Sequence, residues 1–308
     1  MAYCSLEKKD NYKEYKSCFD KDTLMHIANN WNRFNDNKIK YNENMKPKQL
    51  WNLIDKKFKD EGLCNDEICW AEKLKMMNDK TIKESLLPEK PQEWDINPRT
   101  WLSNYDIDNV MSQYEKAKEY EGFKFLGVYP VDFRSTEYTG TCLYKEICAL
   151  DIKNLHDNGI KHIGMIINLD KHDEPGSHWV ALFTCIDPIQ NYFGTYYYDS
   201  NGMEPPQLVK NFMIDMEKQA RSVFGIPNGK FKLEYNKKRH QFKNSECGMF
   251  SMVFLIRWLN YINRQKKGEI EDVSLNSIIG LDIKDDDVFN LRKEFFRPNY
   301  YNQSNSNI

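Results

Sequence analysis

The 308-residue sequence predicts an α+β fold in two parts, a helical N-terminal arm and a mixed domain organised around a small sheet. Three observations carry this expectation. Apolar residues in positions 1–85 recur at intervals of three and four, the period of a helix face. A polar stretch containing three prolines, residues 87–98, then interrupts any helix. Beyond it, short runs rich in β-branched and aromatic residues alternate with turn signals and helical spacing.

Each element follows from its local pattern. In the arm, Leu24, Ile27, Trp31 and Phe34 form one apolar stripe, and Leu50, Trp51, Leu53, Ile54 and Phe58 form another. The prolines divide an arm, 1–96, from a second domain, 97–298, and an Asn- and Ser-rich tail, 299–308, is expected to be disordered. The second domain opens with a helix over 101–111, capped by Ser103 or Asn104. Residues 123–133 and 162–169 read as strands, the latter so continuously apolar that a central position is expected. Residues 178–186 and 192–198 form a hairpin across the turn-forming Asp187-Pro-Ile-Gln-Asn191. A helix over 208–224, a half-buried strand over 230–235, a buried helix over 248–263 and a last helix over 285–297 complete the domain. No internal repeat is visible.

Composition narrows the function classes. Charged residues make up 29% and the formal net charge is -2, so no global basicity points to nucleic acid. No stretch approaches the ~20 apolar residues of a membrane span, and the first residues lack the basic-then-apolar form of a signal peptide. The eight cysteines (Cys4, Cys18, Cys64, Cys69, Cys142, Cys148, Cys185 and Cys247) are scattered, which predicts reduced thiols in a reducing compartment. Cys64 and Cys69 have no second pair at zinc-ligand spacing and are expected to be structural thiols.

Cys247 differs from the others in its setting. It stands where a polar loop becomes an apolar helix, and aligned N–H groups at a helix N-terminus favour a thiolate. A thiol nucleophile also needs a base, a group to orient that base and a donor for the oxyanion. His178 lies just before one strand of the predicted hairpin, and Asp199 ends the other, so both fall at one sheet edge. Gln241, six residues before Cys247, carries an amide that can donate to an oxyanion. Taken singly, each has a plainer reading: a small buried cysteine, a hydrogen-bonded histidine, a turn aspartate. Their joint order is what argues for chemistry.

That order resembles the cysteine proteases of the SUMO-specific and adenovirus-protease type, in which His-Trp, Asp-Ser or Asn-Ser, Gln and Cys-Gly follow one another. His178-Trp179, Asp199-Ser200, Gln241 and Cys247-Gly248 match each element. Within the family, residues 176–183, 198–206, 239–241, 246–248 and 286–297 are similar to the African swine fever virus branch of polyprotein proteases, which has Asn where this chain has Asp199. The resemblance spans about 97–298 and is weak in the arm.

The resemblance implies a papain-like α+β core and a cysteine endopeptidase whose triad is His178, Asp199 and Cys247, with Gln241 at the oxyanion. It further implies that Trp179 and Trp101, the latter in a variant of a Trp-Leu-Asn-Asp motif, enclose a tunnel admitting only glycine backbone. Cleavage after Gly-Gly type sites of virion structural polyproteins would follow, in the virion and host cytoplasm, by a monomer with no metal or organic cofactor. Ubiquitin-like precursors are the alternative protein substrates; an acetyltransferase or an inactive binding module on the same fold are further rivals. The arm lysines Lys38, Lys40, Lys46, Lys48, Lys56, Lys57 and Lys59 read as a solvated face, with nucleic-acid docking the lesser alternative.

Overall fold

The computed structural model describes residues 3–137, 140–280 and 283–299. They fall into two compact units, one running over 3–92 together with 293–299 and the other over 93–292.

In the first unit, α1 (Lys9–Tyr15), α2 (Lys21–Phe34), α3 (Pro47–Asp60), α4 (Glu67–Lys73) and α5 (Lys80–Ser85) enclose an apolar core. Asp20 caps α2 by accepting from Thr23 N at 2.9 Å, and Pro47 starts α3 where its missing N–H has no intrahelical partner. Trp31, Phe58 and Trp70 interlock, with ring centroids 4.7 and 5.7 Å apart. Phe34, expected in the first stripe, is instead 71% exposed at the last position of α2. Residues 293–299 belong to this unit, whereas the sequence placed 293–298 in the second domain. Their backbone pairs with the proline stretch: Arg297 N donates to Pro88 O at 2.8 Å and Lys90 N to Arg297 O at 2.9 Å.

The second unit carries a sheet of five strands: β1 (Phe123–Pro130), β2 (His162–Asn168), β3 (Trp179–Cys185), β4 (Gly194–Tyr198) and β5 (Lys232–Tyr235). They lie in sequence order, with the two outer pairings parallel and the two inner ones antiparallel. Before the sheet comes α6 (Asn104–Lys116); of its two candidate caps Ser103 serves, in a reciprocal box with Asp106. Between β1 and β2 lie α7 (Lys145–Cys148) and α8 (Ile152–Asp157), and α9 (Gln207–Phe224) links β4 to β5. After β5 come α10 (Cys247–Lys266), α11 (Leu275–Ile279) and α12 (Asp285–Asn290).

Every residue of β3 and β4 is buried, because alternate side chains serve two faces. Val180, Leu182 and Tyr197 join Val209, Phe212 and Met216 of α9 on one side. On the other, Phe183 stacks on Trp258 of α10 at 4.5 Å and Tyr196 approaches the same indole at 4.6 Å. The helix expected over 285–297 breaks at Leu291, whose N–H is shared between Asp287 O and Val288 O in a tightened turn. Of the tail expected to be disordered, Asn299 is buried and 300–308 lie outside the described residues.

The expectation of reduced thiols is overturned for six cysteines. Disulfides join Cys4 to Cys18, Cys64 to Cys69 and Cys142 to Cys148, with Cα separations of 4.9, 5.6 and 6.4 Å, within the range a bridge requires. The pairs are 14, 5 and 6 residues apart, the first spanning α1, and hydrophobic spacing does not register whether such sulfurs meet. Cys185 and Cys247 remain free and buried.

Two expectations follow. Alkylating the denatured, unreduced protein should modify two cysteines by mass and, after reduction, all eight; eight before reduction would deny the bridges. In Gly194→Ala, the new Cβ would sit 2.4 Å from the Lys232 carbonyl oxygen, so β5 must move off β4. The urea midpoint should then fall, with a loss of about 3 kcal/mol.

Candidate active site

The site is built at one end of the β3–β4 hairpin. Its antiparallel register, Ala181 opposite Tyr198, brings the residue preceding β3 beside the residue following β4. These are His178 and Asp199, and the histidine Nε2 lies 2.7 Å from Asp199 Oδ1. The carboxylate is 2% exposed and the imidazole 15%, so little water competes for the bond.

Asp199 is itself held on several sides. Its backbone N–H donates to Asn236 Oδ1 at 2.8 Å, and Asn236 Nδ2 donates back to Asp199 O at 2.7 Å. Asn201 N donates to Asp199 Oδ1 at 2.7 Å, and the Asn201 amide lies 3.4 Å from His178 Nε2. Neither asparagine was found by sequence reasoning, because each sits in a polar turn where asparagine is ordinarily explained by the turn alone.

Cys247 is the first residue of α10, a 20-residue helix whose N-terminus faces this hairpin end. With Nε2 engaged by Asp199, the same imidazole also lies within electrostatic reach of the Cys247 side chain. Burial acts to lower the His178 pKa, but the hydrogen bonds and negative charges of Asp199 and Cys247 outweigh it and raise the value to about 9. The imidazole is thus favoured as a cation.

Gln241 is buried, and both ends of its amide are committed. Ser200 Oγ donates to Oε1 at 2.7 Å, and Nε2 donates to Lys243 O at 2.6 Å, leaving one amide hydrogen. The Ser200 carbonyl also accepts from His240 N and Gln241 N at 2.8 and 2.9 Å, tying this loop to the end of β4.

The tryptophans occupy different positions. Trp179 is buried, with Nε1 donating to Leu102 O at 3.1 Å. A Cβ on Gly248 would lie 3.2 Å from Trp179 and 3.3 Å from Leu102, so glycine after the cysteine lets the indole lie against the start of α10. Trp101 is 43% exposed, and its Nε1 donates to Asn244 O at 2.8 Å, on the loop leading into Cys247.

Glu246, directly before the cysteine, is fully buried and pairs with Arg292 at 2.9 Å. Arg292 also donates to Pro98 O and Thr100 O and stacks 4.2 Å above Trp94. Sequence reasoning missed this pair, and its one available signal was an isolated acid at the border of an apolar helix. Other histidines are engaged elsewhere: His156 meets Phe224, His162 stacks between Phe183 and Tyr192, His172 pairs with Asp132, and His240 meets Tyr198 OH. Among the described residues, the grouping compact enough to hold a metal ion is Cys4, Cys18 and Glu67, whose two sulfurs are bonded to each other.

A thiol at a helix N-terminus, sharing an imidazole with a buried carboxylate, defines a cysteine hydrolase. The comparisons narrow that class. A family model described as adenovirus endoprotease matches residues 157–286. A thiol protease of Acanthamoeba polyphaga mimivirus is 33% identical over 284 residues, covering 84% of this chain and 85% of that protein. A cysteine protease of African swine fever virus is 24% identical over 202 residues, covering 64% of this chain and 67% of that protein. The crystal structure of an African swine fever virus protease shares the fold, with a TM-score of 0.62 at 17% identity over 97% of this chain and 96% of that one. The chain belongs to the adenovirus-type cysteine protease family. It is a cysteine-type endopeptidase with an α+β protease fold, and its substrates are proteins.

The electrostatics set the pH response. Because His178 stays protonated to about pH 9, the alkaline limb of activity should lie near that value. In Asp199→Asn the limb should move down by about 1 to 3 pH units, since one anion holding the imidazolium is gone. A limb unchanged in that variant would show that Asp199 does not set the imidazole's charge. The sign for stability is the same: the stabilising contribution of His178 is complete below 6.5 and is lost as pH rises through about 9.

Proposed function

We propose that Cys247 is the nucleophile, His178 the base and acid, Asp199 the group that orients the imidazole and Gln241 the oxyanion donor. The observation that carries this is the buried His178–Asp199 hydrogen bond at 2.7 Å, with Cys247 at the N-terminus of α10 acting on the same imidazole. The thiolate Sγ attacks the scissile carbonyl carbon, and the C=O electron pair moves to the oxygen, which receives the remaining Gln241 N–H and a backbone N–H at the start of α10. The intermediate collapses, the C–N bond breaks, and the imidazolium proton goes to the leaving amine. Neutral His178 then takes a proton from water, and the hydroxide adds to the thioester. Expulsion of the thiolate restores the ion pair.

Cleavage after Gly-Gly type sites is supported by two indoles beside the nucleophile. Trp179 lies against Gly248, and Trp101 bonds the loop before Cys247, so both indoles border the approach to the thiol, where a substrate glycine would meet them most easily. The proposed substrates are virion structural polyproteins, cut by a monomer during assembly in the virion and viral factory. Three disulfides fit an assembled particle better than a reducing cytosol. The second reading, removal of a ubiquitin-like modifier, draws on African swine fever virus relatives named SUMO-1 cysteine protease, one 24% identical over 202 residues.

Co-expression with candidate virion polyproteins should yield new N-termini directly after Gly-Gly, absent with Cys247→Ala. Replacing either glycine with alanine should lower kcat/KM by about 100-fold, the cost of roughly 3 kcal/mol of steric conflict. Fast turnover of a folded SUMO reporter without polyprotein cleavage would favour the second reading.

A further inference from the structure

The loop from Gln241 to Glu246 aims the proposed oxyanion donor, yet Phe242, Lys243 and Asn244 at its tip are exposed and lack a packed core to hold them. Trp101 Nε1 holds the tip at Asn244 O, and a carboxylate from a distant part of the chain holds it at Phe242 and Lys243. Asp285, the first residue of α12, is 5% exposed; its Oδ2 accepts from Phe242 N at 2.9 Å and its Oδ1 from Lys243 N at 3.0 Å. Charge-assisted bonds to two successive peptide N–H groups fix the course of the backbone through residue 243.

That course decides how the Gln241 amide can sit. The Lys243 carbonyl can only accept, so it must face Nε2; Oε1 can only accept, so it faces the Ser200 hydroxyl. A flipped amide would set Oε1 against the Lys243 carbonyl, acceptor against acceptor. One N–H therefore remains, in one direction, for as long as the Lys243 carbonyl stays in place. We propose that Asp285 is a positioning residue for oxyanion stabilisation, acting through the Lys243 peptide on Gln241. This rests on Gln241 being the oxyanion donor.

Asp286, the next residue, supplies an internal contrast. It pairs with Lys243 Nζ at 2.7 Å and Arg99 Nη2 at 2.6 Å, but its side chain is 65% exposed, and such surface pairs contribute little. Asp285 touches the backbone of the loop, whereas Asp286 touches its side chains.

The test compares Asp285→Asn, Asp286→Asn, Gln241→Ala and the double variant Asp285→Asn with Gln241→Ala. Turnover of a fluorogenic peptide ending in Gly-Gly is read alongside alkylation of Cys247 by iodoacetamide, which needs a thiolate but no oxyanion hole. Asp285→Asn puts an amide NH₂ against one backbone N–H and should lower kcat by about 10- to 100-fold, short of or equal to the loss of a whole donor. KM and the alkylation rate should stay within about twofold, Asp286→Asn should match wild type, and Asp285→Asn should cost nothing further in the Gln241→Ala background.

Ser200→Ala, which loosens the same amide from its other end, should reproduce the kcat-specific loss if Asp285→Asn folds poorly. Wild-type kcat in Asp285→Asn while Gln241→Ala is impaired would overturn the inference and leave the oxyanion assignment standing. Equal losses in kcat and alkylation, or additive losses in the double variant, would also overturn it. Unimpaired Gln241→Ala would remove the assignment and the inference together.

Discussion

Antiparallel pairing of β3 with β4 is the constraint on which the site depends, because it converts two residues 21 positions apart into hydrogen-bonded neighbours. Side chains on a strand alternate faces, so a slip of one residue in this register would turn His178 and Asp199 to opposite sides of the sheet. Burial of both strands prevents such a slip. Leu182 and Tyr197 would have to leave the α9 face while Phe183 and Tyr196 left Trp258. Precision at the site is thus a consequence of packing many residues away from it.

The same sheet end collects the polar groups that make a charged pair tolerable in a buried place. A carboxylate as buried as Asp199 would be costly without partners. It has His178, Asn201 and, through its backbone, Asn236. Directly before Cys247, the buried Glu246 is compensated by Arg292 at 2.9 Å and Arg99 at 3.4 Å, and Arg292 in turn ties the start of α10 to residues 98 and 100. The polar groups around the thiol are thus fixed in place before substrate arrives.

The sequence made the hairpin and the helix after Cys247 legible because each is a local pattern: alternation or helical spacing. Ser103 could be proposed as a cap for the same reason. Patterns of this kind failed where the cause was distant. The last helix breaks at Leu291 and its continuation pairs with Pro88 and Lys90, and nothing near residue 291 in sequence announces a partner near residue 88. The disulfides were missed differently: Cys142 and Cys148 are close in sequence, but whether two sulfurs meet depends on the turn between them.

Residue types and order in this chain were enough to nominate His178, Asp199, Gln241 and Cys247, since their chemistry belongs to the side chains and the hairpin logic is local. Folding in three dimensions settled which nitrogen of His178 meets Asp199, which way the Gln241 amide faces, and that Trp101 stands exposed beside Asn244 while Trp179 is buried against Gly248. It also brought in Asn236, Arg292 and Asp285, which no motif marks. The physical reason is that a hydrogen bond depends on separations of about 3 Å and on donor direction. Those quantities are set when strands and helices from residues 98 to 292 pack together, and they leave no periodic trace along the chain.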